Sequence, residues 1–252
     1  MHEINRKQLD RKIRVAAVSY LNTKPLIYGF EKGMIREEIE LLTDFPANIG
    51  DMLLLDKVDI ALVPVAVIPL LKKHFIISDY CIGTEGEVAS VCLFSEVPLK
   101  NIKSIFLDYQ SRTSVALLKI LLRDHWKINP VLEYVEADYE KNIQGSAAGL
   151  VIGDRAFIQR KKSKYIYDLG LAWKELTGLS FVFAAWVANK KLPVDFVTRF
   201  NKTTGEGLNH LPEIIKANPY KHYDLEKYFT ENINFILNDN KRKGMDFFLD
   251  RI

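Results

Sequence analysis

The stretch that decides the fold reads Val18-Ser19-Tyr20-Leu21-Asn22-Thr23-Lys24-Pro25-Leu26, where a short apolar run ends and a polar loop leads into a helix. The preceding run, Arg14 to Val18, is short, contains two β-branched valines and is bounded by polar residues, which is typical of a buried strand. Pro25 suits the first turn of a helix, where its missing N–H leaves no hydrogen bond unmade. The stretch therefore predicts a strand, a loop and a helix start in direct succession.

Four polar side chains follow the carboxyl end of this predicted strand, namely Ser19, Tyr20, Asn22 and Thr23. In open α/β sheets ligands bind at that edge, and the exposed N–H groups of a helix start favour anions. Asn22 or Thr23 alternatively serves only as the cap of the helix. The local sequence leaves both interpretations open.

Strand and helix patterns continue to alternate along the chain. Glu38 to Thr43 and Asp59 to Val65 have strand patterns, and a helical pattern beginning at Phe45-Pro46 lies between them. This order predicts an α/β fold with a parallel or mixed sheet. A second set of units begins near Ile102, with a strand at Ser104 to Leu107 and a helix at Val115 to Leu122.

The loop of this second set contains Ser111, Arg112, Thr113 and Ser114. Three hydroxyls and a guanidinium exceed what one helix cap needs, and together with helix N–H groups they suit a carboxylate or phosphate. A cap alone is the competing interpretation. Asp154, which follows another predicted strand, is similarly either a helix cap or a polar group at the ligand cleft.

Two apolar segments, Val88 to Ser95 and Phe181 to Ala188, are predicted to be strands that form the hinge of a two-lobed clamp. On this hypothesis residues 1–94 and 190–252 form the first lobe, and residues 95–189 form an inserted second lobe. The ligand is then expected between the lobes. Ser90 falls within the first of these strands, where its hydroxyl either bonds to nearby backbone or acts in the site.

The composition narrows the function classes. The formal net charge of the 252 residues is +3, and no basic stripe interleaved with aromatic residues is present, so nucleic-acid binding is not expected. The richest apolar run, 60–71, is too short for a membrane span and contains two prolines. The N-terminal residues lack the apolar core of a secretion signal, which predicts a cytoplasmic protein. Cys81 and Cys92 are predicted to be reduced and to bind no metal.

The run from Ser19 to Leu26 resembles the signature of the MqnA family, the chorismate dehydratases of the futalosine route to menaquinone. Further segments resemble the family in family order: Asp59–Val65, Asp108–Ser114, Gly153–Ala156, Tyr167–Gly170 and Thr177–Trp186. The resemblance implies a type II periplasmic-binding-protein-like α/β fold. Each of its two lobes is then a mixed sheet flanked by helices, with the ligand cleft between the lobes.

The resemblance also implies a reaction, the loss of water from chorismate to give 3-[(1-carboxyvinyl)oxy]benzoate without a cofactor or metal. By similarity, Asn22 and Ser90 are the expected catalytic residues. The expected substrate-binding residues are Ser19, Tyr20, Thr23, Ser111, Arg112, Thr113, Ser114 and Asp154. Two alternatives remain, the sister family that makes 1,4-dihydroxy-6-naphthoate and a binding protein for small carboxylates that has no catalytic activity. The sequence does not set the oligomeric state.

Overall fold

The computed structural model describes residues 11–252, so the N-terminal segment predicted to lack a secretion signal lies mostly outside the described residues. The strands in chain order are β1 (Ile13–Val18), β2 (Ile39–Asp44), β3 (Ile60–Pro64), β4 (Phe75–Thr84), β5 (Val91–Ser95), β6 (Ser104–Leu107), β7 (Val131–Tyr134), β8 (Ala147–Ile152), β9 (Tyr165–Asp168), β10 (Phe181–Ala188) and β11 (Asn234–Ile236). The α-helices are α1 (Lys24–Glu31), α2 (Pro46–Leu54), α3 (Arg112–Ile120), α4 (Asp154–Gln159), α5 (Leu169–Thr177), α6 (Val194–Gly205), α7 (Leu211–Ala217), α8 (Leu225–Lys227) and α9 (Asp239–Leu249).

The strands of the described residues form two mixed sheets. The six-stranded sheet has the order β11-β4-β10-β3-β1-β2, in which β1 is parallel to β2 and β3, and β10 runs antiparallel to β3 and β4. The five-stranded sheet has the order β7-β6-β8-β5-β9, in which β6 is parallel to β7 and β8, and β5 is antiparallel to β8 and β9. The predicted mixed α/β class is confirmed for both sheets.

The chain passes from the six-stranded to the five-stranded sheet between Thr84 and Val91, and it returns between Asp168 and Phe181. The predicted strand 181–188 has the predicted bounds but belongs to the six-stranded sheet over its whole length. The lobe boundaries at 94/95 and 189/190 therefore do not coincide with the change of sheet. A strand buried on both faces has the same apolar pattern in either sheet, so its sequence does not show which of the two sheets it joins. The hinge itself remains a prediction.

The other predicted hinge strand, 88–95, is shorter in the structure, because only Val91–Ser95 is extended. Ala89 has a φ of +63°, which lies in the left-handed region and interrupts a strand. Ser90 therefore lies in a bend just before β5, and its expected position inside a strand is wrong.

The entrance to α1 also differs from the simple cap predicted for Asn22 or Thr23. A 3₁₀ turn, Leu21–Thr23, leads directly into the helix, and neither side chain accepts a capping hydrogen bond. Pro25 occupies the first helical turn as predicted. Because backbone turns make this entrance, the Asn22 side chain is available to the cleft.

Strand β10 forms the centre of the core in the six-stranded sheet, and all eight of its residues are buried. The Trp186 ring packs edge-on against Phe30 and Phe200, with ring centroids 6.0 Å and 5.2 Å away. Burial of each such aromatic side chain contributes roughly 1.5–3 kcal/mol. The strands whose ends carry the polar loops are thus packed in an apolar core.

Candidate active site

A cavity lies between the two sheets and takes its walls from both. Its volume is about 50 Å³, well below the roughly 300–1,000 Å³ of typical small-molecule sites, so the two sheets stand close together around it. Its polar lining consists of Tyr20, Asn22, Ser90, Ser111 and Ser114. Its remaining lining is mostly apolar: Val18, Pro46, Pro64, Ile82, Val88, Val91, Ile152, Gly153, Phe183 and Ala184.

The structure brings the two predicted catalytic residues to one cavity, which both Asn22 and Ser90 line. Ser90 Oγ accepts a hydrogen bond from the hydroxyl of Tyr228 at 2.7 Å. Thr23, which is fully buried, contributes a long contact of 3.5 Å from its Oγ1 to Asn22 Oδ1 and does not line the cavity. Asn22 follows β1 of the six-stranded sheet, and Ser90 precedes β5 of the five-stranded sheet. Their proximity therefore depends on how the two sheets pack together.

Tyr20 is held in the cavity wall by contacts from the five-stranded half of the molecule. Its hydroxyl donates to Gln110 Oε1, which also accepts a 3.0 Å hydrogen bond from Arg155. Arg155 in turn donates to the buried carboxylate of Asp108 at 2.7 Å. Burial raises the pKa of the Tyr20 phenol above its ordinary value, so this group stays a hydrogen-bond donor.

Gly153 provides the close approach for the Tyr20 ring. Its φ is +62°, and a Cβ at this position would meet ring atoms of Tyr20 at 2.9 Å. Both the backbone conformation and the space therefore require glycine here.

The bend that carries Ser90 is fixed by one buried carboxylate, Asp168. Its two oxygens accept hydrogen bonds from the backbone N–H groups of Val88 (3.1 Å) and Ala89 (2.7 Å). Oδ1 of the same residue also accepts from Gly170 and Leu171, at 2.9 Å and 3.1 Å, and so caps α5. Asp168 thus ties the left-handed Ala89 to the start of a helix and sets the position of Ser90.

The N-terminus of α3 points its polar groups at the cavity. Ser111 caps the helix by accepting the Ser114 N–H at 3.1 Å, and the two hydroxyls are 2.9 Å apart. Both side chains line the cavity, so capping and lining apply together. Thr113 is used differently, since its Oγ1 accepts the N–H of Ala66 at 3.1 Å across the two halves of the molecule.

Two other predicted site residues are not brought to the cavity. Arg112 is directed to an outer groove, where it forms a 2.7 Å ion pair with Asp51 of α2, and it is absent from the cavity lining. Ser19 is exposed and donates its N–H to the carbonyl of Asp44 at 3.0 Å. Side chains of neighbouring residues at a strand end or helix start point in different directions, so the sequence cannot show which one faces the ligand.

Asp154 begins α4 and does not cap it, because the capping position belongs to Gly153. Its Oδ1 accepts the N–H of Leu21 at 3.3 Å, which connects the two halves beside the cavity. Burial raises the pKa of this carboxyl to about 6, against the opposing effects of the Leu21 N–H and the Lys24 ammonium.

Three residues around the cavity were not predicted from the sequence: Gln110, Arg155 and Tyr228. The first two lie in the polar segments that were singled out, but only the folded chain shows that they hold Tyr20. Tyr228 lies in the C-terminal region, where the helical alternation of apolar and charged residues gave no indication of a site. Its 0% exposure and its contact with Ser90 are visible only in the structure.

Within residues 11–252, no three His, Cys, Asp or Glu side chains are grouped closely enough to hold a metal ion. Among the helices of these residues, none is both long and apolar enough to cross a membrane.

Comparison with solved structures identifies the architecture. A protein from Archaeoglobus fulgidus superposes with a TM-score of 0.75 at 15% identity, over 95% of this chain and 96% of its own. A Candida albicans protein described as having the generic periplasmic binding protein structural fold gives 0.62 at 12% identity, over 95% and 89%. The fold is therefore that of the periplasmic binding proteins, as predicted.

Sequence comparison is more specific. The chorismate dehydratase of Thermus thermophilus is 27% identical to this chain, and the match covers 92% of each protein. A family model described as menaquinone biosynthesis matches residues 13–252, which include every element that lines the cavity. The chain therefore belongs to the menaquinone biosynthesis family, and the resemblance found in its sequence is confirmed.

Proposed function

We propose that this protein is a chorismate dehydratase, a carbon–oxygen lyase that converts chorismate into 3-[(1-carboxyvinyl)oxy]benzoate during menaquinone biosynthesis in the cytoplasm. The observation that carries the proposal is the meeting of Asn22 and Ser90 at the cleft between the two sheets. The full-length similarity to a chorismate dehydratase supports the choice of substrate.

The proposed reaction is an elimination. A proton leaves the ring carbon that bears the enolpyruvyl ether, and the hydroxyl of the neighbouring carbon departs with a proton as water. The electrons of the broken C–H bond complete the aromatic ring, and this aromatisation drives the reaction without an added redox group. The protein then has to orient the substrate, stabilise its anionic groups and provide a path for the proton.

Asn22 and Ser90 divide these tasks. The amide of Asn22 is neutral and a poor base, so its role is to orient the proton acceptor, either a water or a substrate carboxylate. The hydroxyl of Ser90 serves as a hydrogen-bond donor to the reacting part of the substrate. The Ser90 hydroxyl is held by Tyr228, which limits its movement.

Recognition of a substrate carboxylate is assigned to the N-terminus of α3. Ser111 and Ser114 present hydroxyls to the cavity there, and the helix dipole favours a negative charge. Tyr20 also lines the cavity, and its hydroxyl is already bonded to Gln110. We propose that movement of the two lobes about segments 85–90 and 178–180 admits the substrate.

The test is turnover of chorismate by the wild-type protein and by Asn22→Ala, with the products separated by chromatography and identified by mass. We expect the wild type to release one water per chorismate, and the variant to lose turnover at an unchanged midpoint of thermal unfolding. Full activity of the variant would remove Asn22 from the mechanism.

The same experiment separates the alternatives. If chorismate raises the midpoint of thermal unfolding but is not consumed, the protein is a binding protein for small carboxylates. If neither effect occurs, the substrate of the sister naphthoate synthase is the next to be tested.

A further inference from the structure

Tyr228 belongs to the C-terminal region and contacts the candidate site through its hydrogen bond to Ser90. It opens a turn of π-helix, Tyr228–Asn232, a type of turn that often occurs at functional sites. Its side chain is fully buried, and its ring packs edge-on against Phe157 with centroids 4.9 Å apart. Tyr223 and Phe229 also contact the ring, so its orientation is fixed.

The direction of each hydrogen bond follows from the chemistry of the groups. The phenol of Tyr228 has a single proton, and the acceptor of this proton is Ser90 Oγ, 2.7 Å away. Asn22 lines the same cavity as Ser90. Burial raises the pKa of Tyr228 far above its ordinary value, which keeps this proton in place.

Ser90 is thereby left with its own proton to donate. The carbonyl oxygen of Val88 lies 3.5 Å from Ser90 Oγ, at the outer limit of a hydrogen bond. Because Ser90 also lines the cavity, its hydroxyl proton is available to a bound ligand. A serine whose acceptor side is occupied in this way acts as a donor and not as a base.

From this geometry we infer that Tyr228 is a positioning residue. It occupies the acceptor side of Ser90 and turns the Ser90 proton toward the substrate. The inference rests on the proposed function, because it assigns Tyr228 a role in the same elimination. Tyr228 itself need not touch the substrate, since it acts through Ser90.

The chain offers a matched control in Tyr223. This residue stacks on Phe157 with ring centroids 4.4 Å apart, and its hydroxyl donates to Asn232 Oδ1 at 3.0 Å. Tyr223→Phe and Tyr228→Phe therefore each remove one hydroxyl from the same aromatic cluster and keep the ring. Only the second change removes the hydrogen-bond donor to Ser90.

The experiment measures kcat, KM and the thermal unfolding midpoint for both variants with chorismate. For Tyr228→Phe we expect kcat to fall at least about tenfold while KM stays within about threefold, because the lost contact orients a reacting group. For Tyr223→Phe both constants should stay within about threefold. A kcat of Tyr228→Phe within about twofold of wild type would overturn the inference, as would equal losses in the two variants.

A double variant distinguishes positioning from general damage. If Tyr228 acts through Ser90, the loss in Ser90→Ala/Tyr228→Phe must be smaller than the product of the two single losses. Losses that multiply would show that Tyr228 acts independently and would overturn the inference. Absence of chorismate turnover by the wild type refutes the proposed function and this inference together, whereas wild-type turnover with an unaffected Tyr228→Phe refutes only the inference.

Discussion

Asp168→Ala is the most informative change outside the cavity, because one carboxylate both caps a helix and fixes the bend that carries Ser90. The variant loses hydrogen bonds to four backbone N–H groups, two in the bend and two in the first turn of α5. Loss of the cap costs about 0.5–2 kcal/mol, and each N–H left without an acceptor in the bend costs about 1–3 kcal/mol. Allowing for partial relaxation, we expect a total of about 3–5 kcal/mol.

Asp224→Ala provides the control. Asp224 caps α8 by accepting two backbone N–H groups, at 2.9 Å and 3.2 Å, but it is exposed. Its replacement is therefore expected to cost only the capping part, about 1 kcal/mol. The difference between the two variants isolates the contribution of the bend.

The assay is urea unfolding of both variants, with the free energy of unfolding obtained by linear extrapolation. Turnover of chorismate is measured in parallel under conditions in which the variants are folded. We expect the activity of Asp168→Ala to fall by more than its fraction of folded protein, because the N–H groups of Val88 and Ala89 lose the acceptors that shape the bend before Ser90. A free energy of unfolding no lower than that of Asp224→Ala would refute the reasoning.

Two further predictions concern the contacts between the two halves. Because the pKa of Asp154 in the folded protein is about 6, above the ordinary 3.8, the folded state binds more protons and its stability should fall as pH rises between these values. The free energy of unfolding, measured with urea, should change less between pH 5 and pH 7.5 in Asp154→Asn than in the wild type. An equal change in both proteins would contradict this prediction. Arg112 and Asp51 form a largely exposed ion pair, so Arg112→Ala and Asp51→Ala should each cost less than about 1 kcal/mol. The two variants should also change KM to the same small extent. A rise in KM in Arg112→Ala alone would show that Arg112 binds the substrate.

The local order of elements could be predicted where short-range chemistry decides it. The strand before Ser19, the helix after Pro25 and the cap at Ser111 all follow from residue type and spacing over a few positions. Strand 181–188 was equally clear, because eight consecutive buried residues leave few alternatives.

The remaining features depend on contacts between distant parts of the chain. The bend before β5 exists because Asp168 binds N–H groups about eighty residues earlier, and no local pattern at Ala89 indicates a left-handed conformation. Tyr228 reaches Ser90 across 138 positions of sequence. Arg112 looked like an anion ligand, but Asp51 on another helix holds it at the outer groove. Such pairings are decided by how the two sheets pack.

The central claim is tested most directly by incubating the wild-type protein, treated with a chelator to remove metal ions, with chorismate and determining the mass of the product. We expect a single aromatic product that is lighter than chorismate by one water and that forms over many turnovers without any added cofactor. Recovery of unchanged chorismate from a folded protein, even at equimolar enzyme, would contradict it.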